Sequence, residues 1–440
     1  MFKKSKRIIV ISIAAAMMMA AFSGCAAKNN STNTNATAEV VVEDGAEDVG
    51  DSDEIEETEF YDSEGNLLTE YEVEDPINNS ASSLIGILKS PVTSDNIAEY
   101  DYTDKAMEYL KYIGTNLKDR DSQQPETSDH DKTVAWIKSE LKNAGFKDDQ
   151  IEEQVVDEFG TKIHNIILTV PGEDDSKQII AGAHYDGDGA GDNGSGIALL
   201  LANAVGLKDK KPHYTTKYIF FDSEEEGLCG SLYYTDSMSK EDIDKTLYMI
   251  NMDAIAFGDY ANVYGGLYTG MDQYLKKEGT DITPPATEAY DYAMQNAKSL
   301  GFKVQGPKEL DGYYQANGKG PEIEDKTLYT NPWTAANPAP SNSLSFSPAT
   351  IPASDHVGFM ANGIEYIYFE ATNWFAGSEK DPDNAYTGYI ETYDESLGNG
   401  GMFMNTEYDT LENLEKFFPG RAEAHFHMYS PLLSSLLLSQ

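Results

Sequence analysis

Residues 178–196 read QIIAGAHYDGDGAGDNGSG, and this stretch decides the fold. Its apolar run, residues 179–183, predicts a buried strand that ends in His184 and Asp186. A loop of glycines and acids leads to Asp192 and then to an apolar helical run. In an open α/β sheet, ligands bind at the carboxyl ends of strands. A histidine with carboxylates there suits a zinc-type site, although a plain acidic strand-to-helix turn is the alternative for this stretch alone.

The rest of the chain alternates between strand and helix patterns. We predict strands at residues 163–170, 217–221, 246–252 and 365–369, and helices at residues 102–117, 132–144, 288–300 and 422–438. Such alternation indicates an α/β fold with a central, mostly parallel sheet that helices cover on both faces. Residues 257–352 break the alternation and are rich in Gly, Pro, Asn and Tyr, so we expect an inserted lid or subdomain there.

The N-terminal part predicts export and anchoring. Residues 1–24 combine a basic start with a short apolar run, and the segment closes in Ser23-Gly24-Cys25. The ending resembles a bacterial lipobox, with Phe22 where Leu is usual. We therefore expect a lipoprotein signal peptide, a lipidated Cys25 and an extracytoplasmic protein anchored to a bacterial membrane; an ordinary signal peptide or an uncleaved anchor helix is the alternative. Residues 25–89 are acidic and predict a disordered linker, which leaves residues 90–440 for the folded domain.

Composition limits the class of partner. The formal net charge of −43 over 440 residues argues against nucleic acid, because phosphate binding depends on Lys and Arg. Two cysteines, Cys25 and Cys229, do not make a disulfide framework. We expect no nucleic-acid partner, and contact with the membrane through the lipid anchor alone.

Three predicted strands end in candidate metal ligands. The first ends at His184 with Asp192 just beyond, the second leads into Glu224 and Glu225, and the third leads into Asp253. Adjacent strands lie about 4.8 Å apart, so side chains at their ends can converge. Several carboxylates in one cleft repel each other unless a cation neutralises them. This pattern indicates metal-assisted hydrolysis, in which two divalent ions share a bridging carboxylate and a further glutamate activates water.

The ordered motifs resemble the M28 family of zinc aminopeptidases over roughly residues 100–426. The resemblance rests on GAHYD at residues 182–186, GDNGSG at 191–196, SEEEGLCGS at 223–231, NMDA at 251–254 and SDH at 354–356. It implies a mixed sheet flanked by helices, two zinc ions and a peptide substrate cut at its amino end. It also implies that His184 and Asp253 bind one zinc, Glu225 binds the other, Asp192 bridges them and Glu224 is the general base.

The resemblance further implies supporting residues and one departure. Asp186 would orient His184, and Asp355 and His356 would lie near the active site. The family's last ligand is a histidine, but Asn405 stands at that position in NTEYDT, residues 405–410. Three interpretations stay open: Asn405 is a weak ligand through its amide oxygen, that metal is labile or lost, or another histidine, His425 or His427, replaces it.

The leading hypothesis is a metal-dependent exopeptidase that removes N-terminal residues with Glu224 as general base. Because of Asn405, a catalytically impaired, peptidase-like binding protein is the alternative. An aminoacyltransferase of the glutaminyl-cyclase kind, which shares this fold and needs one zinc, is a further alternative.

Overall fold

The computed structural model describes residues 82–158, 161–258, 260–266, 288–305, 343–347, 354–371, 404 and 406–440. The predicted signal peptide, Cys25, most of the predicted linker and Asn405 lie outside the described residues. Among the described residues, no helix combines the length and the apolar character that a membrane span requires.

One mixed sheet of nine strands forms the centre of the fold, in the order β1-β2-β4-β3-β5-β9-β6-β8-β7. Its strands are β1 Ile151–Glu158, β2 Thr161–Val170, β3 Asp174–His184, β4 Tyr214–Phe221, β5 Thr246–Met252, β6 Asn262–Gly266, β7 Lys303–Gln305, β8 Ser343–Ser347 and β9 Glu365–Glu370. The block β4-β3-β5-β9 is parallel, whereas β1, β2 and β6 join their inner neighbours antiparallel. The expected α/β class, with a mostly parallel mixed sheet and flanking helices, is confirmed.

Ten α-helices are described along the chain. They are α1 Ser82–Ile85, α2 Thr103–Asn116, α3 His130–Asn143, α4 Gly194–Gly206, α5 Cys229–Ser237, α6 Lys240–Lys245, α7 Glu288–Ser299, α8 His356–Ala361, α9 Leu411–Phe417 and α10 Arg421–Leu437. Short 3₁₀ turns lie at Ile97–Glu99 and Asp148–Gln150.

Helix α4 joins the candidate site to the core. Its residues 194–204 are all buried, so it is apolar around its whole circumference, as a helix enclosed by other elements must be. Its one buried amide, Asn203, donates 2.8 Å hydrogen bonds to the Ser430 carbonyl and the Ser434 hydroxyl of α10. The helix that begins just after Asp192 is therefore held firmly by the core.

The parallel block sets the position of the site. Strands β3, β4 and β5 run side by side, with His184 opposite Phe221 and Gly182 opposite Asn251. All seven residues of β5 are buried, as expected for a central strand covered on both faces. The carboxyl ends of the three strands therefore lie at one edge of the sheet.

Parts of residues 257–352, expected to be an insertion, contribute to the central sheet. Strands β6, β7 and β8 and helix α7 come from this range, and β6 pairs with both β8 and β9. Strand β1, at the sheet edge, was not predicted. Its sequence is mostly charged and polar, and Val155 is half exposed, so it lacks the apolar run that indicates a buried strand.

Candidate metal centre

Four acidic side chains and one histidine meet at the edge where β3, β4 and β5 end: Asp192, Glu224, Glu225, Asp253 and His184. His184 ends β3, Glu224 lies in the turn after β4, and Asp253 directly follows β5. From His184 Nε2, the carboxylate oxygens of Asp192 and Asp253 are 3.3 Å away, and that of Glu224 is 3.9 Å away. The structure thus brings together side chains that are up to 69 residues apart in sequence.

Asp186 connects the histidine to the glutamate turn. Its two carboxylate oxygens accept hydrogen bonds from the backbone N–H groups of Glu224, at 3.0 Å, and Glu225, at 3.1 Å. One of the same oxygens lies 3.4 Å from Nδ1 of His184, on the ring side away from the other carboxylates. Asp186 therefore lies where an orienting residue for His184 would have to be, and it also fixes the turn that carries both glutamates.

The donor set suits a divalent metal ion. Two groups have ligand atoms within 4.8 Å of one another: His184 with Glu224 and Asp253, and His184 with Asp192 and Glu225. The buried oxygen of Asp192 that lies 3.3 Å from His184 Nε2 makes no hydrogen bond in the described part of the chain, and burying such a group is costly without a cation. Imidazole and carboxylate ligands are those that zinc takes in catalytic sites. The residues present therefore fit the zinc that the sequence predicted.

Burial and mutual repulsion perturb the titration of the cluster. Burial, reinforced by Asp253, raises the pKa of Asp192 to about 6. Burial also raises the pKa of Glu224 well above its usual value. Repulsion by Asp253 and Glu225 raises it further, and the attraction of His184 offsets only part of the rise. The carboxylates in turn raise the pKa of His184 well above its usual value in spite of its burial. Such an acidic cluster favours binding of a positive ion.

Asp253 is supported by a residue that sequence reasoning did not single out. Its second carboxylate oxygen accepts a 2.8 Å hydrogen bond from the Ser354 hydroxyl, which accepts a 2.6 Å bond from the Asn251 amide. Burial opposes ionisation, but His184 and Ser354 lower the pKa of Asp253. The SDH motif thus contacts the site through Ser354. The serine stands directly before Asp355 and His356, which the resemblance placed near the active site.

Asp355 and His356, the other two residues of that motif, are both buried. The His356 ring stacks between Tyr366 and Tyr368, at centroid distances of 4.4 and 4.8 Å. Burial lowers the pKa of His356 to about 3, so the ring is neutral, and burial raises the pKa of Asp355 to about 7. His356 is absent from the two candidate metal groups of the described chain, and a supporting role for the pair stays a prediction.

The two histidines considered as replacements for the missing ligand lie on α10. Nδ1 of His425 is 2.8 Å from the Ile255 carbonyl, and Nδ1 of His427 is 2.6 Å from a carboxylate oxygen of Asp101. Neither joins the carboxylate cluster in the part of the chain that the structure describes. Asn405 itself lies outside the described residues.

Backbone strain is concentrated next to the site. Ser223 directly precedes Glu224, and Ala254 directly follows Asp253. Both have a left-handed backbone, with φ of 54° and 49°. This conformation costs a residue other than glycine on the order of 1 kcal/mol or more, and it persists where the surroundings hold it. Both residues therefore turn the chain sharply at the points where it presents its carboxylates.

Arg120 and Asp409 also contact the loop that carries Asp192, and neither was predicted as a site residue. Arg120 donates hydrogen bonds to backbone carbonyls of the loop, and the Asp409 carboxylate accepts them from backbone amides of the loop. Arg120 lies in none of the motifs that resemble the family. Asp409 lies in NTEYDT, the segment that matches the family's last ligand position.

Comparison with known proteins identifies the region that holds the site. Residues 165–311 match the family model described as Peptidase family M28. Leucine aminopeptidase 2 of Trichophyton equinum is 33% identical over 107 residues, which cover 23% of this chain and 22% of that protein. An aminopeptidase of Pseudomonas aeruginosa is 29% identical over 150 residues, which cover 33% of this chain and 27% of that protein. The similar region thus spans about a quarter of the length of these curated relatives.

Two solved structures resemble the fold at low identity. A glutaminyl cyclase from an Acidobacteriales bacterium gives a TM-score of 0.49 at 16% identity and covers 77% of this chain and 95% of that one. A Zn-dependent exopeptidase from Parabacteroides distasonis gives a TM-score of 0.48 at 17% identity and covers 76% and 97%.

Proposed function

We propose that this chain, which belongs to peptidase family M28 through residues 165–311, is a metal-dependent exopeptidase that removes N-terminal residues from peptides. The observation that carries the proposal is that carboxylate oxygens of Asp192, Glu224 and Asp253 all lie within 4 Å of Nε2 of His184. The aminopeptidases to which part of this chain is similar support the choice of reaction.

His184, Asp192 and Asp253 would hold one zinc ion, and Asp192, Glu225 and Asn405 would hold a second. Bound zinc would supply Lewis acidity, which polarises a carbonyl and makes water more acidic. An amide oxygen is a weaker ligand for zinc than an imidazole, so we expect the second ion to be held less tightly.

Glu224 would act as the general base. Its side chain is 12% exposed, so it is mostly enclosed but still reached by solvent. Burial and the neighbouring carboxylates raise its pKa well above the ordinary value, the direction in which enzymes shift a glutamate that serves as a general base. It would take a proton from the attacking water and give it to the leaving amine. Asp186 would keep Glu224 in place through the backbone of the turn.

Glu224→Ala tests this assignment. The purified full chain should bind zinc and hydrolyse aminoacyl-anilides, whereas Glu224→Ala should keep its zinc and lose roughly 100-fold or more of the rate, as expected for a missing general base. Glu226→Ala, which changes the next glutamate but one in the same turn, is the matched control and should hydrolyse at the parental rate. Equal activity of the parent and of Glu224→Ala would refute the role of Glu224.

A catalytically impaired binding protein is a second candidate, favoured by Asn405. The substitution Asn405→His distinguishes the two. A large gain in both zinc affinity and turnover would indicate a decayed site, and unchanged turnover at saturating zinc would indicate a working variant site. Incubation with an N-terminal glutaminyl peptide separates the cyclase alternative, because that activity yields a pyroglutamyl product.

We also propose that residues 1–24 are a lipoprotein signal peptide, that Cys25 carries the lipid and that residues 25–89 connect this anchor to the folded domain. The basic start, the short apolar run and the cysteine of the N-terminal segment support this. Expression in a bacterial host should give a membrane-associated chain, and Cys25→Ala should release it or leave it unprocessed. An unlipidated N-terminus by mass spectrometry would contradict the proposal.

A further inference from the structure

We infer that Arg120 and Asp409 are positioning residues that clamp the Asp192 loop, residues 185–193, from two sides and so hold Asp192 ready for metal before any metal binds. The inference rests on the proposed metal centre, which it deepens. It assigns roles to a guanidinium and a carboxylate that touch only the backbone of the loop and not the metal positions.

Arg120 holds the first half of the loop. Its guanidinium donates to the carbonyls of Tyr185, at 2.7 Å, and Gly189, at 2.8 Å, and a third bond reaches the Leu117 carbonyl at 2.8 Å. Its own backbone N–H donates to the Gly187 carbonyl at 3.0 Å. The side chain is fully buried, so all of these bonds are made away from water. A buried charge used entirely on backbone carbonyls serves to fix the shape of the chain.

Asp409 holds the second half. Its carboxylate accepts hydrogen bonds from the backbone N–H groups of Gly191, at 2.6 Å, and of Asp192 itself, at 2.9 Å. Its backbone carbonyl accepts a third, from the Ala190 N–H at 3.2 Å. The bond to the N–H of Asp192 is the most direct contact, because it fixes the backbone from which the proposed bridging carboxylate projects.

The glycines of the loop make this contact possible. A Cβ atom on Gly189 would lie only 2.2 Å from one carboxylate oxygen of Asp409, and a Cβ atom on Gly191 would lie 3.1 Å from the other. The loop must therefore be bare at Gly189 for the carboxylate to enter, whereas at Gly191 a Cβ atom would clash first with the Phe257 ring. Glycine is also the residue that loses most conformational freedom on ordering, so a loop rich in glycine needs external bonds to keep one shape.

The charges of the clamp complement each other across the loop. The positive group of Arg120 interacts favourably with Asp409, Asp186 and Asp192, which offsets part of its burial. Peptide carbonyls of the loop point to the guanidinium, and peptide N–H groups point to the carboxylate. The loop thus lies between the guanidinium of Arg120 and the carboxyl group of Asp409 with its peptide dipoles oriented favourably, and Asp192 faces His184 at 3.3 Å.

Two variants test the clamp in the full chain. Asp409→Asn keeps the shape but replaces one acceptor oxygen by an N–H₂ group, which would face a backbone N–H. Arg120→Lys keeps the charge but lacks the planar fork that reaches several carbonyls. Asp101→Asn is the matched control, since Asp101 also accepts from a backbone N–H, that of Thr103, but makes no contact with the loop among its described hydrogen bonds.

The readouts are amide hydrogen exchange of the metal-free protein and zinc affinity by calorimetric titration. We expect Asp409→Asn and Arg120→Lys to speed exchange at Gly191 and Asp192 by about 10- to 100-fold, as loss of a charge-assisted bond predicts, with β5 unchanged. We expect zinc affinity to fall by about 10- to 100-fold, and Asp101→Asn to change neither quantity.

Parental exchange at Gly191 and Asp192 together with parental zinc affinity in both variants would overturn the inference. If one variant does not fold, the other decides, because each removes one side of the clamp. If the parent chain binds no zinc, the proposed function fails, while exchange in the loop still tests the clamp separately.

Discussion

Asp186 shows how one side chain can serve two parts of a site. It lies beside the back of His184 and at the same time accepts the two backbone N–H groups of the turn that carries Glu224 and Glu225. Its pKa is lowered even though burial opposes this, because His184 and the two N–H groups stabilise the charged form. The ligand histidine, the base and the second acidic ligand are thereby kept in register by one carboxylate.

Asp186→Asn should therefore disturb both metal binding and catalysis. The amide offers one acceptor oxygen where two N–H groups need one each, and it carries no charge to favour His184 as a ligand. We expect zinc affinity to fall by about 10- to 100-fold, as is usual when the partner of a ligand histidine is lost. Competition with a metal-binding dye measures this, and an affinity within twofold of the parent would contradict the linking role.

A buried ion pair lies behind the site at His130. Nε2 of His130 is 2.9 Å from the Asp222 carboxylate and 3.2 Å from the Tyr185 hydroxyl, and Nδ1 is 3.2 Å from Asp131. Burial lowers the pKa of His130, but Asp222 outweighs it, followed by Asp131 and Asp186, and the result is a rise from 6.5 to about 9. His130 is thus charged at neutral pH and binds its proton more tightly folded than unfolded.

The proton on His130 makes the stability of the fold depend on pH. Because the folded pKa is above the unfolded one, the contribution of His130 to stability is complete below about pH 6.5 and disappears as pH rises through about 9. The free energy of unfolding of the metal-free chain should fall by up to roughly 3 kcal/mol over this window. Urea titrations at several pH values measure it. His130→Gln should flatten the slope, and an equal slope in parent and variant would refute the assignment.

Among the strands and helices, β3, β4 and β5 and the position of their carboxyl ends could be predicted best from the sequence. The apolar runs before His184, Glu224 and Asp253 are buried central strands, so their pattern was strong, and their common parallel direction made convergence at one edge a direct consequence. Strand β1 is polar at the sheet edge, and β7 has only three residues, so neither gave a pattern. Strands β6 and β8 pair within the sheet from a segment whose composition indicates loops.

The residues of the site likewise fall into those that the sequence predicts and those that it does not. Ligand candidates next to apolar runs could be found, because the run and the acid are adjacent in sequence. Arg120, Asp409 and Ser354 bind backbone or side chains of the site that are far away in sequence, between 65 and 218 residues from them. Ser354 and Asp409 lie in motifs that the sequence marked, but nothing local shows which distant groups they bind, and Arg120 lies in no motif.

Helix α4 should be the main stabilising element under the site. Leu200 is fully buried in the middle of it and belongs to the large apolar core. Leu200→Ala should lower the free energy of unfolding by about 2–5 kcal/mol, since it leaves a cavity that the packed surroundings fill only in part. Ile87→Ala, at a residue that is 69% exposed, should change it by less than about 0.5 kcal/mol and is the control. Equal effects in urea titrations would contradict the buried position of α4.

At the scale of the whole molecule, the acidic composition is consistent with a site that binds a cation. The chain has a net charge of −43, and at the edge of β3, β4 and β5 it collects carboxylates around a single histidine. A solvated surface has no reason to bury carboxylates beside one another, because each then costs desolvation and repulsion. The arrangement is reasonable only if a cation completes it, which is the central claim.

Cleavage of a peptide library by the full chain, stripped of metal and then restored with zinc, tests that claim most directly. Products identified by mass spectrometry should be single residues lost from amino ends, absent after stripping and recovered with zinc. Absence of any cleavage at saturating zinc, with the fold intact by circular dichroism, would contradict the account, as would cuts that persist unchanged in the stripped protein.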